Sequence, residues 1–160
     1  MTDFASLLRT LADQDVAYIL VGGAAATVHG SARLTLDVDV VYQRTPDNLA
    51  RLVNALAAHA PRLRGAPPDL PFRWDAETLA RGLNFTLATT LGPIDLLGEI
   101  AGGGTYERLL PDSEEVTAFG VTCRCVTLER LIHLKRSAGR VKDLEAIAEL
   151  ETLRVERDQQ

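Results

Sequence analysis

Two carboxylates interrupt an otherwise apolar stretch of the sequence. Asp37-Val38-Asp39 lies within residues 34–42, LTLDVDVVY, whose period-two alternation predicts a β-strand. Residues two apart on a strand project from the same face, so both carboxylates would face one space. At an effective dielectric near 20, unit charges 4 Å apart repel by about 4 kcal/mol, so close carboxylates need a cation, a proton or an arginine between them. Such oxygen ligands suit Mg²⁺ or Mn²⁺, and the alternative is a polar strand face in contact with water.

A third acid, Asp95, interrupts a second apolar stretch, in which Ile94 to Leu97 is predicted to be a strand. If this strand neighbours residues 34–42, the three carboxylates converge. Such a cluster can hold two divalent cations roughly 3.5–4 Å apart and support in-line displacement at phosphorus. Strand adjacency does not follow from periodicity, so the convergence is an expectation.

A pair of glycines, Gly22-Gly23, closes the predicted strand 17–21 and precedes a predicted helix at 24–29. Unpaired backbone N–H groups and the positive end of a helix dipole would then form a phosphate cradle. A plain strand-to-helix turn that needs glycine for its backbone angles is the alternative. The sequence contains neither G-x-G-x-x-G nor G-x-x-x-x-G-K-S/T, which argues against Rossmann and P-loop sites.

The remaining pattern must supply the elements that position these groups. It predicts helices at 4–14, from 45–47 onward, and from 128 to about 153 with a break at Gly139. It predicts a strand at 83–88 and a hairpin at 115–126. The connections are predicted to be a proline-rich loop at 61–75, a turn at 91–93 and a flexible glycine connection at 102–104. We therefore expect an α/β (α+β) fold with a small mixed β-sheet flanked by helices. The expected organisation is a single domain over residues 1–160, ending in two short helices at about 128–153.

Composition sets limits on the class of protein. With 160 residues, 46% hydrophobic residues and a formal net charge of -5, the chain is typical of one folded domain rather than a disordered segment. It contains no apolar run of about 18 residues and no signal-peptide pattern at the N-terminus, which favours a cytoplasmic protein without a membrane partner. Cys123 and Cys125 point to one face of a predicted strand and are expected to be reduced and structural.

The spacing of the glycines and acids resembles a known family signature. Val21-Gly22-Gly23 precedes Asp37 by thirteen intervening residues, and 36–40 is Leu-Asp-Val-Asp-Val. This arrangement resembles the nucleotidyltransferase superfamily with the polymerase-β-like fold, and Asp95 falls where that family has its third carboxylate. The resemblance implies that Gly22 and Gly23 hold a triphosphate, that Asp37 and Asp39 bind metal ions, and that Asp95 binds metal or takes the acceptor's proton.

The C-terminal part carries a second resemblance. Lys135 is followed by Arg140-Val-Lys142-Asp143, which is similar to the K … R-x-K-D stretch of AbiEii-like nucleotidyltransferases, a group that includes toxins of toxin–antitoxin systems. Lys135 would contact the nucleotide's phosphates, while Arg140, Lys142 and Asp143 would shape the site. Arg33 begins the stretch Arg33-Leu-Thr35-Leu-Asp37, which resembles an R-x-T-x-D motif of the same group, and it is expected to lie near phosphate. The alternatives are a solvated basic helix face for 130–142 and a surface charge for Arg33.

The expected function is transfer of a nucleoside monophosphate from a nucleoside triphosphate to a hydroxyl, with two Mg²⁺ (or Mn²⁺) ions and release of pyrophosphate. The acceptor stays open among a tRNA 3′ end, a protein side chain and a small molecule. The resemblance also suggests the toxin of a toxin–antitoxin pair. AbiEii-type toxins are larger, which suggests a cognate antitoxin or other protein partner. The alternative is a nucleotide-binding or partner-binding module, a degenerate transferase or toxin–antitoxin component, without turnover.

Overall fold

A computed structural model describes residues 2–160. Within them, helices and strands alternate in the order α1 (Phe4–Asp13), β1 (Tyr18–Val21), α2 (Gly22–Val28), β2 (Val38–Tyr42), α3 (Pro46–Leu56), β3 (Arg62–Leu63), α4 (Ala76–Arg81), β4 (Asn84–Thr89), β5 (Gly92–Leu97), α5 (Tyr106–Leu109), β6 (Ser113–Ala118), β7 (Val121–Val126), α6 (Leu128–Ala138) and α7 (Val141–Asp158). Short 3₁₀ turns occupy Ala57–His59 and Leu110–Asp112. The helices at both termini and the hairpin around residues 119–120 follow the sequence prediction.

The strands form one mixed sheet in the order β3-β4-β5-β2-β1-β7-β6. β2 runs parallel to β5 and β1 runs parallel to β7, whereas the other neighbours are antiparallel. The prediction of an α/β fold with a mixed sheet flanked by helices is confirmed. The β2–β5 pairing also establishes the strand adjacency that the sequence left open.

The core includes the interior strand β1, whose four residues are all buried. A strand buried on both faces has a continuous apolar sequence instead of an alternating one, as Tyr18–Val21 does. α1 contributes Leu7, Leu8 and Leu11, which lie on one helical stripe. The fully buried Asn48 of α3 ties the strand ends together, since its amide accepts from Ala17 N at 2.7 Å and donates to the carbonyl of Gln43 at 2.7 Å.

The second predicted strand is shorter than its alternation suggests. β2 begins at Val38, and residues 30–37 form a loop in which Leu34 and Leu36 are 89% and 64% exposed. The pairing with β1 ends at Val21 opposite Asp39, because the chain turns into α2 at Gly22. Residues before Val38 therefore have no partner strand on that side, and Asp37 precedes the strand instead of lying within it.

Four other elements differ from the prediction. α2 includes both glycines and begins at Gly22, not at residue 24. The predicted loop 61–75 contains the short strand β3, which directly follows Pro61. This is compatible with a strand because β3 lies at the edge of the sheet, where proline is tolerated. The helix α4, capped by Asp75, was not predicted, and α7 continues to Asp158 instead of ending near 153.

Two smaller expectations concern the cysteines and the glycine break. Cys123 and Cys125 are both buried and free, as expected. Gly139 ends α6 with φ +67, a left-handed conformation that glycine adopts without steric cost.

Among residues 2–160, no helix combines the length and the apolar character that a membrane crossing requires.

Candidate active site

Three carboxylates meet at the centre of the sheet. Asp39 on β2 and Asp95 on β5 are direct partners in the parallel register, and Asp37 lies just before β2. Paired residues of neighbouring strands project from the same face, which brings these side chains together. One oxygen from each of the three lies within 4.8 Å of the others. This group, Asp37, Asp39 and Asp95, is called the acidic triad below.

Asp39 lies in an environment that disfavours its charged form. Its Oδ1 is buried and has no hydrogen-bond partner within the described residues. Burial, followed by the charges of Asp95 and Asp37, raises its pKa to about 7, while Lys135 acts in the opposite direction. An orphaned buried acceptor between two further carboxylates is an environment that a divalent cation would satisfy. The donor set therefore fits a hard metal ion such as Mg²⁺ or Mn²⁺.

Arg64 supplies a cation to the acidic triad and was missed by the sequence analysis. Its Nη2 donates to Asp95 Oδ1 at 2.8 Å and lies 3.6 Å from Asp37 Oδ2. Its Nη1 donates to the carbonyl of Leu87 at 3.1 Å. The repulsion between neighbouring carboxylates led us to expect a cation, a proton or an arginine between them. No local sequence pattern, however, distinguishes Arg64 from the rest of the proline-rich segment.

The two glycines allow the start of α2 to approach the acids closely. Gly22 has φ +64, and a Cβ there would lie 2.2 Å from Asp39 Oδ2. A Cβ on Gly23 would lie 2.4 Å from Thr35 Oγ1, in the loop that leads into β2. Distances below 3.0 Å require other atoms to move, so these positions accept only glycine without rearrangement. The predicted contact of both glycines with a triphosphate stays a prediction.

A cleft of about 420 Å³ opens beside the acidic triad. It contains nine of the ten residues that the sequence singled out, namely Gly23, Arg33, Asp37, Asp39, Asp95, Lys135, Arg140, Lys142 and Asp143. The tenth, Gly22, lines an adjoining smaller cavity together with Asp39, Lys135 and Arg140. The chain thus brings distant predicted residues into one space, while their individual roles stay predictions.

Asp143 holds two of the basic residues at the edge of the cleft. It is buried at the first turn of α7, accepts from Arg140 Nε at 2.8 Å and lies 3.7 Å from Lys135 Nζ. Burial alone would raise the pKa of Asp143, but hydrogen bonds from Arg140 and the charge of Lys135 outweigh it and hold the pKa below its usual value. Asp143 therefore holds Lys135 and Arg140 close together at the edge of the cleft, while its predicted role in shaping the site stays a prediction.

The loop before β2 is tied to α7 by polar contacts. Ser31 Oγ donates to Glu149 Oε1 at 2.5 Å, and the Ala32 backbone N–H donates to Glu149 Oε2 at 3.1 Å. Arg33 lies 3.6 Å from Glu145 and is about half exposed. Arg33 therefore lines the cleft with its charge directed partly to Glu145.

Comparison with solved structures shows which known fold this arrangement resembles. The chain superposes on a crystal structure of a protein from Thermotoga maritima, provisionally designated a nucleotidyltransferase, with a TM-score of 0.53 over 100% of this chain and 97% of that chain. This chain has a nucleotidyltransferase fold. The two sequences are 13% identical, so the likeness is one of fold. Searches against models of known protein families and against curated proteins gave no match. In this nucleotidyltransferase fold, Asp39 and Asp95 lie on the neighbouring strands β2 and β5, and Asp37 lies directly before β2.

Proposed function

We propose that this chain transfers a nucleoside monophosphate from a nucleoside triphosphate to a hydroxyl acceptor, using divalent cations bound by the acidic triad. The observation that carries the proposal is the direct pairing of Asp39 with Asp95, which together with Asp37 places three carboxylate oxygens within 4.8 Å. A nucleotidyltransferase fold and a cleft with basic residues support it.

In the proposed reaction, the acceptor oxygen attacks the α-phosphorus of the triphosphate. The bond from that phosphorus to the oxygen bridging to the β-phosphorus breaks, and pyrophosphate leaves with the negative charge. Mg²⁺ or Mn²⁺ held by Asp37, Asp39 and Asp95 would stabilise the charge on the phosphate oxygens and favour the deprotonated acceptor. The protein's own side chains then have three tasks: to bind the triphosphate, to keep the three carboxylates in position, and to take the proton of the acceptor hydroxyl.

The basic residues around the cleft would bind the triphosphate. Lys135 is the best placed, because its side chain is largely buried, lines the cleft together with Asp39, and carries a charge that acts to lower the pKa of Asp39. Arg140 and Lys142 follow at the start of α7, and Arg33 faces them from the loop before β2. Glycine at positions 22 and 23 lets the start of α2 lie directly against Asp39 and Thr35.

Asp95 would take the proton of the acceptor hydroxyl when it does not bind metal, and solvent water would take the proton when it does. Its Oδ1 accepts from Arg64, and its side chain is about one-fifth exposed, so it can be reached from the cleft. Asp39 must be deprotonated to bind a cation, because metal ligation requires the carboxylate form. Its raised pKa makes cation binding by the acidic triad weaker below about pH 7.

A transfer assay tests the proposal directly. Purified protein would be incubated with Mg²⁺, each α-labelled nucleoside triphosphate in turn and a whole-cell extract, after which RNA, protein and small molecules are separated. We expect label in one fraction, which identifies the acceptor class among RNA, protein and small molecule. The Asp37→Asn/Asp39→Asn double variant should reduce the transferred label by about a hundredfold or more. An exposed change far from the cleft, Asp13→Asn, is the matched control. Full transfer by the double variant would refute the assignment.

Exposed apolar residues beside the cleft favour a second candidate, a nucleotide-binding module that acts with a protein partner such as an antitoxin. Leu34 and Leu36 in the loop and Val141 and Leu144 on α7 are all more than 60% exposed. Clustered exposed apolar groups are typical of interaction surfaces. Metal-dependent stabilisation by triphosphate, with no label transferred to any fraction, would favour this candidate. In that case, the toxin–antitoxin assignment would rest on identifying the partner.

A further inference from the structure

Arg64 is placed in register with the acidic triad across the sheet. Its backbone N–H donates to the carbonyl of Thr86 at 2.9 Å, continuing the β3–β4 pairing by one residue. Thr86 in turn pairs with Asp95, and Asp95 pairs with Asp39. Residues in such a row project from one face of the sheet, so the arginine side chain is directed along the row that ends at the acids.

The guanidinium of Arg64 reaches over one strand to the acids. Asp95 lies two strands away, about 10 Å at the usual strand spacing, which only a long side chain can span. Along this path, Nη1 donates to the carbonyl of Leu87 at 3.1 Å, and Nη2 donates to Asp95 at 2.8 Å. The Arg64 side chain is one-third exposed, unlike a freely solvated surface arginine. Backbone and side chain are therefore both held in the position that places its charge at the acidic triad.

The contacts of Arg64 are distributed unevenly over the three acids. It bonds Asp95, lies 3.6 Å from Asp37, and forms no ion pair with Asp39 within the described residues. The carboxylates that it contacts are also those that a cation at the acidic triad would need. A guanidinium and a metal ion cannot both use the same lone pairs of Asp95 Oδ1 and Asp37 Oδ2.

We propose that Arg64 is a built-in counter-ion that competes with the divalent cation for Asp95 and Asp37, so that the metal binds as the guanidinium withdraws. This inference rests on the proposed function, because it concerns the same acidic triad. Arg64 is then a positioning residue that sets the cation concentration at which the site fills. In the metal-free protein it keeps the carboxylates together and limits their repulsion.

Competition has a consequence that simple structural support does not. If only a minor fraction of molecules has the carboxylates free, the apparent affinity for metal is reduced by that fraction. Removal of the guanidinium therefore strengthens cation binding. Loss of a structural contact would instead disorder Asp95 and weaken cation binding, so the direction of the change distinguishes the two roles.

Calorimetric titration with Mn²⁺ alone, without nucleotide, tests the proposal. We expect Arg64→Gln to bind Mn²⁺ about tenfold more tightly than the wild type, and Arg64→Lys, which retains a charge, to change less. Arg62→Gln is the matched control, because Arg62 lies on the same edge strand, is exposed and makes no ion pair in the described part of the chain. Unchanged or weaker Mn²⁺ binding by Arg64→Gln, with wild-type binding that depends on Asp39, would overturn the inference and leave the proposed function standing.

A measurement on the wild-type protein covers the case in which the Gln variant does not fold. The guanidinium ¹⁵N signals of Arg64 are those missing from the spectrum of Arg64→Lys. Added Mg²⁺ should shift these signals toward the values of a solvated arginine, with the midpoint of the shift at the Kd that a calorimetric titration with Mg²⁺ gives. Signals that do not move while Mg²⁺ binds would show that Arg64 stays on Asp95, which contradicts competition. Absence of any Asp39-dependent cation binding would refute both this inference and the metal-dependent function.

Discussion

Asp39 combines burial, an unsatisfied oxygen and two neighbouring carboxylates. In the folded protein its pKa is raised from 3.8 to about 7, so between these pH values the folded state holds a proton that the unfolded state has lost. The stability contributed by the protonated group is complete below about pH 4 and is lost as the pH rises to 7. Above pH 7, without a metal ion, Asp39 is therefore a destabilising group.

Asp39→Asn should stabilise the metal-free protein at alkaline pH. Because Asn cannot ionise, we expect its free energy of unfolding at pH 8 to exceed that of the wild type by about 2 kcal/mol, with no difference at pH 4. Urea denaturation in a chelating buffer measures both values. Asp13→Asn is the control, since Asp13 is exposed on α1 and does not line the cleft, and it should show no such gain. Equal stability of wild type and Asp39→Asn at pH 8 would contradict the electrostatic account.

Gly22 is the second residue whose identity is determined by the site. Gly22→Ala adds a Cβ 2.2 Å from Asp39 Oδ2 at a backbone φ of +64. The conformational cost alone is about 1–2 kcal/mol, and the clash should displace Asp39 and abolish Mn²⁺ binding. Gly120→Ala separates the two effects, because Gly120 has φ +77 but its nearest contact is a flexible arginine end at 3.9 Å. It should lose stability and leave Mn²⁺ binding unchanged, as measured by denaturation and titration calorimetry.

At the scale of elements, the junction of α6 and α7 depends on one buried acid. Asp143 accepts from the backbone N–H of Arg140 at 3.2 Å, which caps α7, and also pairs with Lys135 of α6. Its pKa is lowered on folding, so the stability that it contributes is present above the unfolded pKa near 3.8 and is lost as the pH falls through the lowered folded value. The same interactions direct two basic side chains at the cleft.

Asp143→Ala should therefore affect stability and nucleotide binding together. The lost cap and the unpaired Lys135 are expected to cost about 2 kcal/mol at pH 7, with the difference from wild type shrinking at acidic pH. Triphosphate affinity should fall as well, because Lys135 and Arg140 lose their common partner. Glu145→Ala on the same helix is the control, since that exposed pair with Arg33 should contribute less than 1 kcal/mol. A stable Asp143→Ala variant at pH 7 would contradict this role.

At the scale of the whole molecule, charge is unevenly distributed. The chain carries a formal net charge of -5, yet Arg33, Lys135, Arg140 and Lys142 all line the cleft beside the acidic triad. Three carboxylates repel a triphosphate until a divalent cation reverses the local charge. Nucleotide binding should consequently depend on metal although the cleft has basic residues.

Thermal unfolding with nucleotide, with and without Mg²⁺, measures this dependence. A nucleoside triphosphate at a hundred times its Kd should stabilise the protein by about 2.7 kcal/mol when Mg²⁺ is present and much less in a chelating buffer. The Asp37→Asn/Asp39→Asn variant should show little difference between the two conditions. Equal stabilisation by nucleotide in both buffers for the wild type would mean that phosphate binds to the basic residues without metal.

The sequence by itself determined the features that depend on local pattern. The apolar spacing of α1, the turn at Phe119-Gly120 and the helix break at Gly139 follow from side-chain periodicity and from the backbone freedom of glycine. The glycine pair and the three acids were also identified from their types and spacing. Each of these signals extends over a few residues, so it can be recognised without knowledge of the rest of the chain.

Only the tertiary structure decided which distant residues meet. The register of Asp39 opposite Asp95 and the placement of Arg64 depend on the pairing of β2 with β5 and of β3 with β4, whose segments are distant in sequence. Leu34 and Leu36 continue the alternation of a strand but have no partner strand, so they are exposed. No local pattern encodes these pairings, because the sheet forms from the combined burial of all its strands, and the row from Arg64 to Asp39 exists only once it has formed.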